Sequence, residues 1–350
     1  MKVLDTISFQ KDLLSWYDYE KRDLPWRKEN DPYRIWVSEI MLQQTKVAAV
    51  IPYFYNFMEK FPTLLDLAEA EEDEVLKAWE GLGYYSRARN LHAAVKEVRD
   101  QYGGIVPDTE KEIKSLKGVG PYTAGAILSI AYNVPAPAVD GNVMRVLSRI
   151  FTIYDDIGKD TTRKKFEQIV RDTIAEERAS DFNQAMMELG ALICTPTSPA
   201  CLLCPVASHC AAREEGVQEM LPVKAKKKAA RSVFLKAIVL KNTQGEYLVE
   251  RRPDTGLLAK FWQFPFLETE KDGEFAAFLQ QWGIDLEQVE YKEHIRQAFT
   301  HLVWEIDVYT VEVNHLTPAE NQQVLTPSLL KELVFPVSHQ KIVEKIEEEY

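Results

Sequence analysis

Every cysteine in the chain falls inside one stretch of seventeen residues: Cys194, Cys201, Cys204 and Cys210. Core filling would scatter four small side chains over 350 positions, so a shared ligand is what concentrates them. The start Met1-Lys2-Val3-Leu4-Asp5 lacks the basic segment, apolar run and small-residue cleavage site of a secretory signal. An intracellular, cytoplasmic address follows, where thiols stay reduced and a metal is a better reading than disulfides. Four thiolates take zinc or an iron–sulfur cluster. The intervening lengths of six, two and five residues fit neither zinc ribbons nor common ferredoxin patterns, so spacing leaves both open. Pro196, Pro199 and Pro205 stiffen the loop 194–210, which gives its ligand a structural role.

A chain of 350 residues exceeds the usual size of one core, and two patterns divide it. Up to about Ala211 the apolar spacing is helical, with helices expected over Asp66 to Gly81, Ser86 to Tyr102, Thr161 to Ala175 and Asp181 to Leu192. A connector with Gly216, Pro222 and the run Lys224, Lys226, Lys227, Lys228 spans 213–231. Strand-like segments then appear at Val233 to Leu240, Tyr247 to Arg251 and Val303 to Val311, where Trp304, Ile306 and Val308 alternate with charged residues. Helical stretches near Glu274 to Trp282 and Gln340 to Glu349 complete an α+β region. The expectation is a multi-domain protein: an all-α domain over 1–212, a linker over 213–231 and an α+β domain over 232–350. The best apolar run, Ala124 to Val139, is cut by Asn133, Pro135 and Pro137, so no membrane span is expected.

Charge alone points away from nucleic acid. The net charge is −12, with 27 basic against 34 acidic residues up to Lys224 and 15 against 20 beyond it. Phosphate contacts would have to come from a local patch or from backbone N–H groups at helix N-termini.

Three segments nevertheless carry chemistry. Leu116-Lys117-Gly118-Val119-Gly120-Pro121-Tyr122-Thr123-Ala124 is a glycine-pinned turn into an apolar helix, suited to backbone approach and anion binding. In Ala138-Val139-Asp140-Gly141-Asn142-Val143-Met144-Arg145-Val146 an acid precedes a helix start. In Arg34 to Val47, Glu39 lies opposite an apolar stripe of Val37, Ile40, Met41, Val47, Ala48 and Ile51, yet is flanked by Ile35, Leu42 and Trp36. Apolar surroundings disfavour an ionised carboxyl and suit it to general-acid work. Alone, each segment has a plainer reading: a tight helical turn, an N-cap at Asp140, a surface glutamate.

Together, in this order, the turn at Leu116 to Ala124, the aspartate in Val139-Asp140-Gly141-Asn142 and the cysteine spacing resemble the endonuclease-III-like, helix-hairpin-helix DNA glycosylase superfamily. Within it, Trp36-Val37-Ser38-Glu39-Ile40-Met41-Leu42-Gln43-Gln44-Thr45, Gly81-Leu82-Gly83-Tyr84-Tyr85-Ser86-Arg87 and a second domain are similar to the adenine DNA glycosylase (MutY) family over essentially the whole chain. The resemblance implies a [4Fe–4S] cluster on Cys194, Cys201, Cys204 and Cys210. It further implies excision of adenine opposite 8-oxoguanine, or less well guanine, in double-stranded DNA by an intracellular, nucleoid-associated monomer.

It also implies roles. Glu39 matches the acid that protonates adenine, and Asp140, oriented by Asn142, the carboxylate that stabilises the cationic sugar, with Tyr122 beside both. Bifunctional relatives carry a lysine at the position of Tyr122, so a hydrolytic, monofunctional enzyme is implied, with Lys117, Gly118 and Gly120 on backbone phosphate. Trp26, Arg27, Leu24, Leu42, Val47 and Met187 match the adenine pocket; Gln44 and Thr45 lie beside the lesion strand, and Leu82, Gly83 and Tyr84 at the oxidised guanine. Gln184 falls where some relatives carry an acid. The C-terminal domain is similar to Nudix domains without an intact metal-binding box between Leu257 and Trp282, and Phe299-Thr300-His301 matches the family's recognition loop. Two other classes compete: a lyase acting on oxidised pyrimidines, opposed by Tyr122, and a silent damage sensor, opposed by Glu39 with Asp140.

Overall fold

A computed structural model describes residues 4–225 and 229–348. Lys226, Lys227 and Lys228 of the connector, the starting Met1-Lys2-Val3, and Glu349, which closed the last helix expected from the sequence, lie outside the described residues. The chain forms two compact units, Met1–Ala78 with Ser86–Lys226, and Trp79–Tyr85 with Lys227–Tyr350.

The first unit is helical: α1 (Thr6–Glu20), α2 (Pro32–Leu42), α3 (Val47–Lys60), α4 (Leu64–Glu69), α5 (Glu72–Ala78), α6 (Ser86–Tyr102), α7 (Glu110–Ile113), α8 (Pro121–Tyr132), α9 (Gly141–Ile150), α10 (Asp160–Thr173), α11 (Ala179–Leu192) and α12 (Ala211–Glu215). The single helix expected over Asp66 to Gly81 is two, because Ala70 is extended (φ −63°, ψ 152°) after a Thr63–Asp66 capping box has started the first. Apolar faces of α1, α9, α10 and α11 enclose one core around Phe9, Leu147, Phe166 and Phe182. A smaller cluster of Ile35, Ala126, Ile130 and Ala138 joins α2 to α8. Much of the expected connector is not free chain. Leu221 is buried, its carbonyl accepts from Arg149 Nε at 3.0 Å, and the Val223 carbonyl accepts from the Ile157 N–H.

The second unit holds β1 (Arg231–Asn242), β2 (Tyr247–Arg251), β3 (Trp262–Gln263), β4 (Phe266–Glu268), α13 (Asp272–Leu279), β5 (Glu290–Ala298), β6 (Leu302–Val313), β7 (Gln322–Leu325), α14 (Pro327–Leu330) and α15 (Val337–Glu348). The sheet runs β3-β2-β1-β6-β5, with β4 on β1 and β7 on β2. The long β1 and β6 pair in parallel from Arg231↔Leu302 to Asn242↔Val313. Alternation puts Val233, Leu235, Trp304, Ile306 and Val308 on the face covered by Leu330, Ile342 and Ile346. Ile238, Leu240 and Val311 face Phe275 and Leu279. Burial on both faces makes β1 an interior strand, which is why it reads as a nearly continuous apolar run. The heptapeptide Trp79–Tyr85 belongs to this unit by packing: Tyr85 meets the edge of Phe261 at 4.5 Å, and Glu80 Oε1 accepts from the Phe335 N–H at 3.2 Å.

Candidate active site

Helix α2 starts where Asp31 accepts the Tyr33 N–H at 2.8 Å and Pro32 fills the first turn. From Tyr33 to Met41 nearly every residue of it is buried, so Glu39 is carried into the interior, 5% exposed. Gln44 (φ 59°) turns the chain sharply, and Arg87 Nη1 donates to the carbonyls of Ile40, Met41 and Gln43 that this end leaves open. The stripe expected from Val37 through Ile51 is therefore split: Val37, Ile40 and Met41 are buried on α2, whereas Ala48 is exposed on α3.

The glycine-pinned turn lies between α7 and α8. Gly118 adopts φ +75°, and a Cβ there would lie 2.6 Å from Asn90 Cβ, so both conformation and packing demand glycine. Gly120 gives α8 no side-chain cap, Pro121 opens it, and Tyr122 in its first turn donates its hydroxyl to Glu39 Oε2 at 2.5 Å. Burial, strengthened by the nearby Asp140, pushes the Glu39 carboxyl up to about 7 despite the Tyr122 bond, and burial holds the Tyr122 phenol well above its ordinary range.

Asp140 does cap α9: its Oδ1 accepts the Val143 N–H at 2.7 Å while Oδ2 accepts from Asn142 Nδ2 at 2.8 Å. The plainer reading is met, and the cap also lines the cavity with Glu39 and Tyr122. Burial raises the Asp140 pKa, with the two hydrogen bonds opposing. Behind it, Arg145 Nη2 donates to Asn142 Oδ1 and the Gly190 carbonyl, and Arg145 Nε to the Cys194 carbonyl. Gly190 permits this closeness, because a Cβ would meet Asn142 Cβ at 2.6 Å.

Of the remaining expected residues, Leu24, Trp26, Arg27, Leu42, Thr45, Val47, Gln184 and Met187 join Glu39, Tyr122, Asp140 and Asn142 around this one cavity. Among the described residues its lining contains no lysine; Lys117 is exposed at the turn, its N–H on Glu97. Gln44 is exposed outside the lining. Leu82, Gly83 (φ +72°) and Tyr84 (φ 50°, exposed) lie in the heptapeptide of the second unit. Phe299, Thr300 and His301 form the turn between β5 and β6, with Phe299 edge-on to Trp304 at 5.0 Å and Thr300 and His301 exposed.

Sequence reasoning passed over Glu188, which lies 1% exposed in the cavity wall between two arginines. Arg22 reaches its two oxygens at 2.7 and 2.8 Å, and Arg27 reaches Oε2 at 3.0 Å. Burial would raise this carboxyl, but the hydrogen bonds of Arg22 and Arg27 outweigh it and hold it at about 2. The signal was helical spacing: Gln184, Met187, Glu188 and Ala191 share one face of α11 and all line the cavity.

The four cysteines are free thiols around a second cavity of the same unit, with Arg149 and Arg213. Arg149 Nη1 lies 3.2 Å from Cys194 Sγ, a donor placed for a thiolate. In the thiol form, burial holds Cys204 at about 12 and raises Cys210, so loading with metal must release protons. Among the described residues no three His, Cys, Asp or Glu side chains are grouped to hold one metal ion. No helix among the described residues is long and apolar enough to cross a membrane.

Comparison with known proteins bears on both units. Residues 37–172 match the HhH-GPD superfamily base excision DNA repair protein model and residues 236–345 the NUDIX domain model. The adenine DNA glycosylase of Rattus norvegicus is 36% identical, over 91% of this chain and 73% of its own. That of Homo sapiens is 36% identical over 90% and 69%, and that of Buchnera aphidicola subsp. Baizongia pistaciae 31% identical over 91% and 90%. Among solved structures, a thermostable thymine-DNA glycosylase superposes with TM-score 0.53 at 29% identity, covering 60% of this chain and 97% of that one. A trapped endonuclease III–DNA covalent intermediate gives 0.53 at 25%, covering 62% and 99%.

Proposed function

Since the chain belongs to the adenine DNA glycosylase family, we propose that it excises adenine from mispairs with 8-oxoguanine, and with guanine, in duplex DNA by hydrolysis. The observation that carries this reading is a pair of carboxyls, Glu39 and Asp140, on one cavity, each held by its own partners, Tyr122 for the first and Asn142 with the Val143 N–H for the second.

The N-glycosidic bond breaks when the base takes a proton and the sugar becomes cationic, a division of labour that two carboxyls serve. Glu39, pushed up to about 7, keeps its proton in a substantial share of molecules at neutral pH, and the Tyr122 hydroxyl on Oε2 orients it. It protonates the extruded adenine, then as carboxylate draws a proton from the incoming water. Asp140 has both oxygens fixed by Val143 and Asn142, so it stabilises positive charge on the sugar without reorganising. A cavity without lysine favours release of an abasic site over strand cleavage.

On this reading Cys194, Cys201, Cys204 and Cys210 hold a [4Fe–4S] cluster, which when bound ties the segments after α11 and before α12 to one centre. The uncapped start of α8 and the Lys117–Gly120 turn take backbone phosphate, so an acidic protein grips DNA through N–H groups and local charge. Gln44, Thr45, Leu82, Gly83 and Tyr84 support the opened helix, and Phe299-Thr300-His301 reads the oxidised guanine. The enzyme acts as an intracellular monomer.

Single-turnover assays on duplexes with adenine opposite 8-oxoguanine or guanine test the proposal. The parent should release adenine from both, faster opposite 8-oxoguanine, with strand breaks only after alkali. Glu39→Gln should bind the same duplex without releasing base. Intact substrate after incubation with the parent, or borohydride-trappable strand scission at each turnover, would overturn it.

A further inference from the structure

The base cavity has a neighbour. A second, roomier cavity of about 520 Å³, against about 170 Å³, lies between the end of α1, the end of α8 and the start of α11. The two share Arg22, Arg27, Ile130 and Gln184 as common lining, so these side chains stand on the boundary between them. Three of the four are firmly held: Arg22 and Arg27 by Glu188, and Ile130 by Ile35, Ala126 and Ala138. Gln184 is held lightly, its amide donating to Ser180 Oγ at 3.2 Å from a half-buried position. Of the four it is the side chain least restrained against a change of rotamer.

Resting on the reading above, we propose that the outer cavity is the exit for freed adenine and that Gln184 is its shutter. An extruded nucleotide enters with its sugar still in the strand, so after cleavage the abasic strand covers the way in. The freed base is planar, neutral and edged with donors and acceptors. The outer cavity sets polar side chains, Asn30, Asn133, Ser180 and Asp181, beside apolar ones, Tyr17, Ile130 and Ala131, suited to the edge and the face of such a base. Adenine thus leaves before the abasic DNA does.

Lys21→Trp and Asp181→Trp would narrow this cavity from two sides, and neither residue lines the base cavity. The full-length enzyme is mixed in excess with a duplex carrying tritiated adenine opposite 8-oxoguanine. One half of each time point is quenched in alkali for total cleavage; the other is desalted natively, separating free base from base held in the complex. The parent should free adenine as fast as it cleaves. Either variant, with its melting temperature kept, should cleave at the parental rate but free adenine about tenfold more slowly. Free base keeping pace with cleavage in both variants would overturn the proposal, as would slowing of cleavage and release by the same factor. Absence of cleavage by the parent would instead overturn the enzymatic reading.

Discussion

Glu39→Gln should abolish base release yet stabilise the protein in alkaline solution. Burial lifts this carboxyl from an ordinary 4.5 to about 7, so across that interval the native state keeps a proton that the unfolded chain has lost. The unfolded state binds fewer protons there, and stability falls as pH rises from 4.5 to about 7, then levels off. At roughly 1.4 kcal/mol for each pH unit, ionised Glu39 costs the fold up to about 3 kcal/mol above neutrality. Glutamine keeps an oxygen for the Tyr122 hydroxyl and never ionises; its amide N–H groups add a penalty of about 1–3 kcal/mol that does not vary with pH. The diagnostic is therefore the slope of the difference. Urea midpoints of parent and variant, followed by tryptophan fluorescence, should diverge in favour of the variant between about pH 5 and about pH 8. A difference that stays flat, or moves the other way, would refute burial as the source of the raised Glu39 pKa.

The same titration governs rate: single-turnover cleavage by the parent should fall as pH rises through about 7, a descent absent from binding measured on the same duplex. Asp140→Asn keeps an oxygen for the Val143 N–H and hence the α9 cap but turns its amide N–H groups toward Asn142 Nδ2, so circular dichroism melts should shift down modestly while cleavage drops about a hundredfold or more. Glu188→Leu leaves Arg22 and Arg27 without their buried partner and should cost about 3–5 kcal/mol in urea unfolding. In the parent, the stability that Glu188 confers is present above 4.5 and lost as pH falls toward about 2, so the variant's deficit should shrink in acid. Gly118→Ala, at φ +75° against Asn90, should weaken duplex binding and lower the melting temperature, whereas Gly120→Ala meets open space within the protein and should leave the melting temperature unchanged.

The chemistry was legible where a local rule broke. A carboxyl among apolar neighbours marked Glu39, an acid before a helix start marked Asp140, and four clustered thiols marked their own loop; these settle into two cavities of one unit. Helix periodicity gave α6 its bounds of Ser86 and Tyr102, and strand alternation placed Trp304, Ile306 and Val308 on one core face. What stayed hidden depends on partners distant in sequence. Nothing near Glu188 announces two arginines more than a hundred and sixty residues earlier. Nor does Arg145 announce that it will brace Asn142 while bonding the Cys194 carbonyl. The break at Ala70 is likewise invisible to periodicity, since apolar spacing runs on across it.

The heptapeptide Trp79–Tyr85 is lent by one half of the gene product to the other. Cutting at the connector leaves those seven residues in the N-terminal fragment, severed from Phe261 and Phe335, on which they pack. Such a fragment would lose the Tyr85–Phe261 and Glu80–Phe335 contacts and deprive the Gly81–Gly83 bend of its mould. Differences between a truncated enzyme and the intact one would then mix two losses, that of the missing C-terminal part and that of a misplaced bend. Domain-swap or split-protein designs should move this segment together with the residues beyond Lys227.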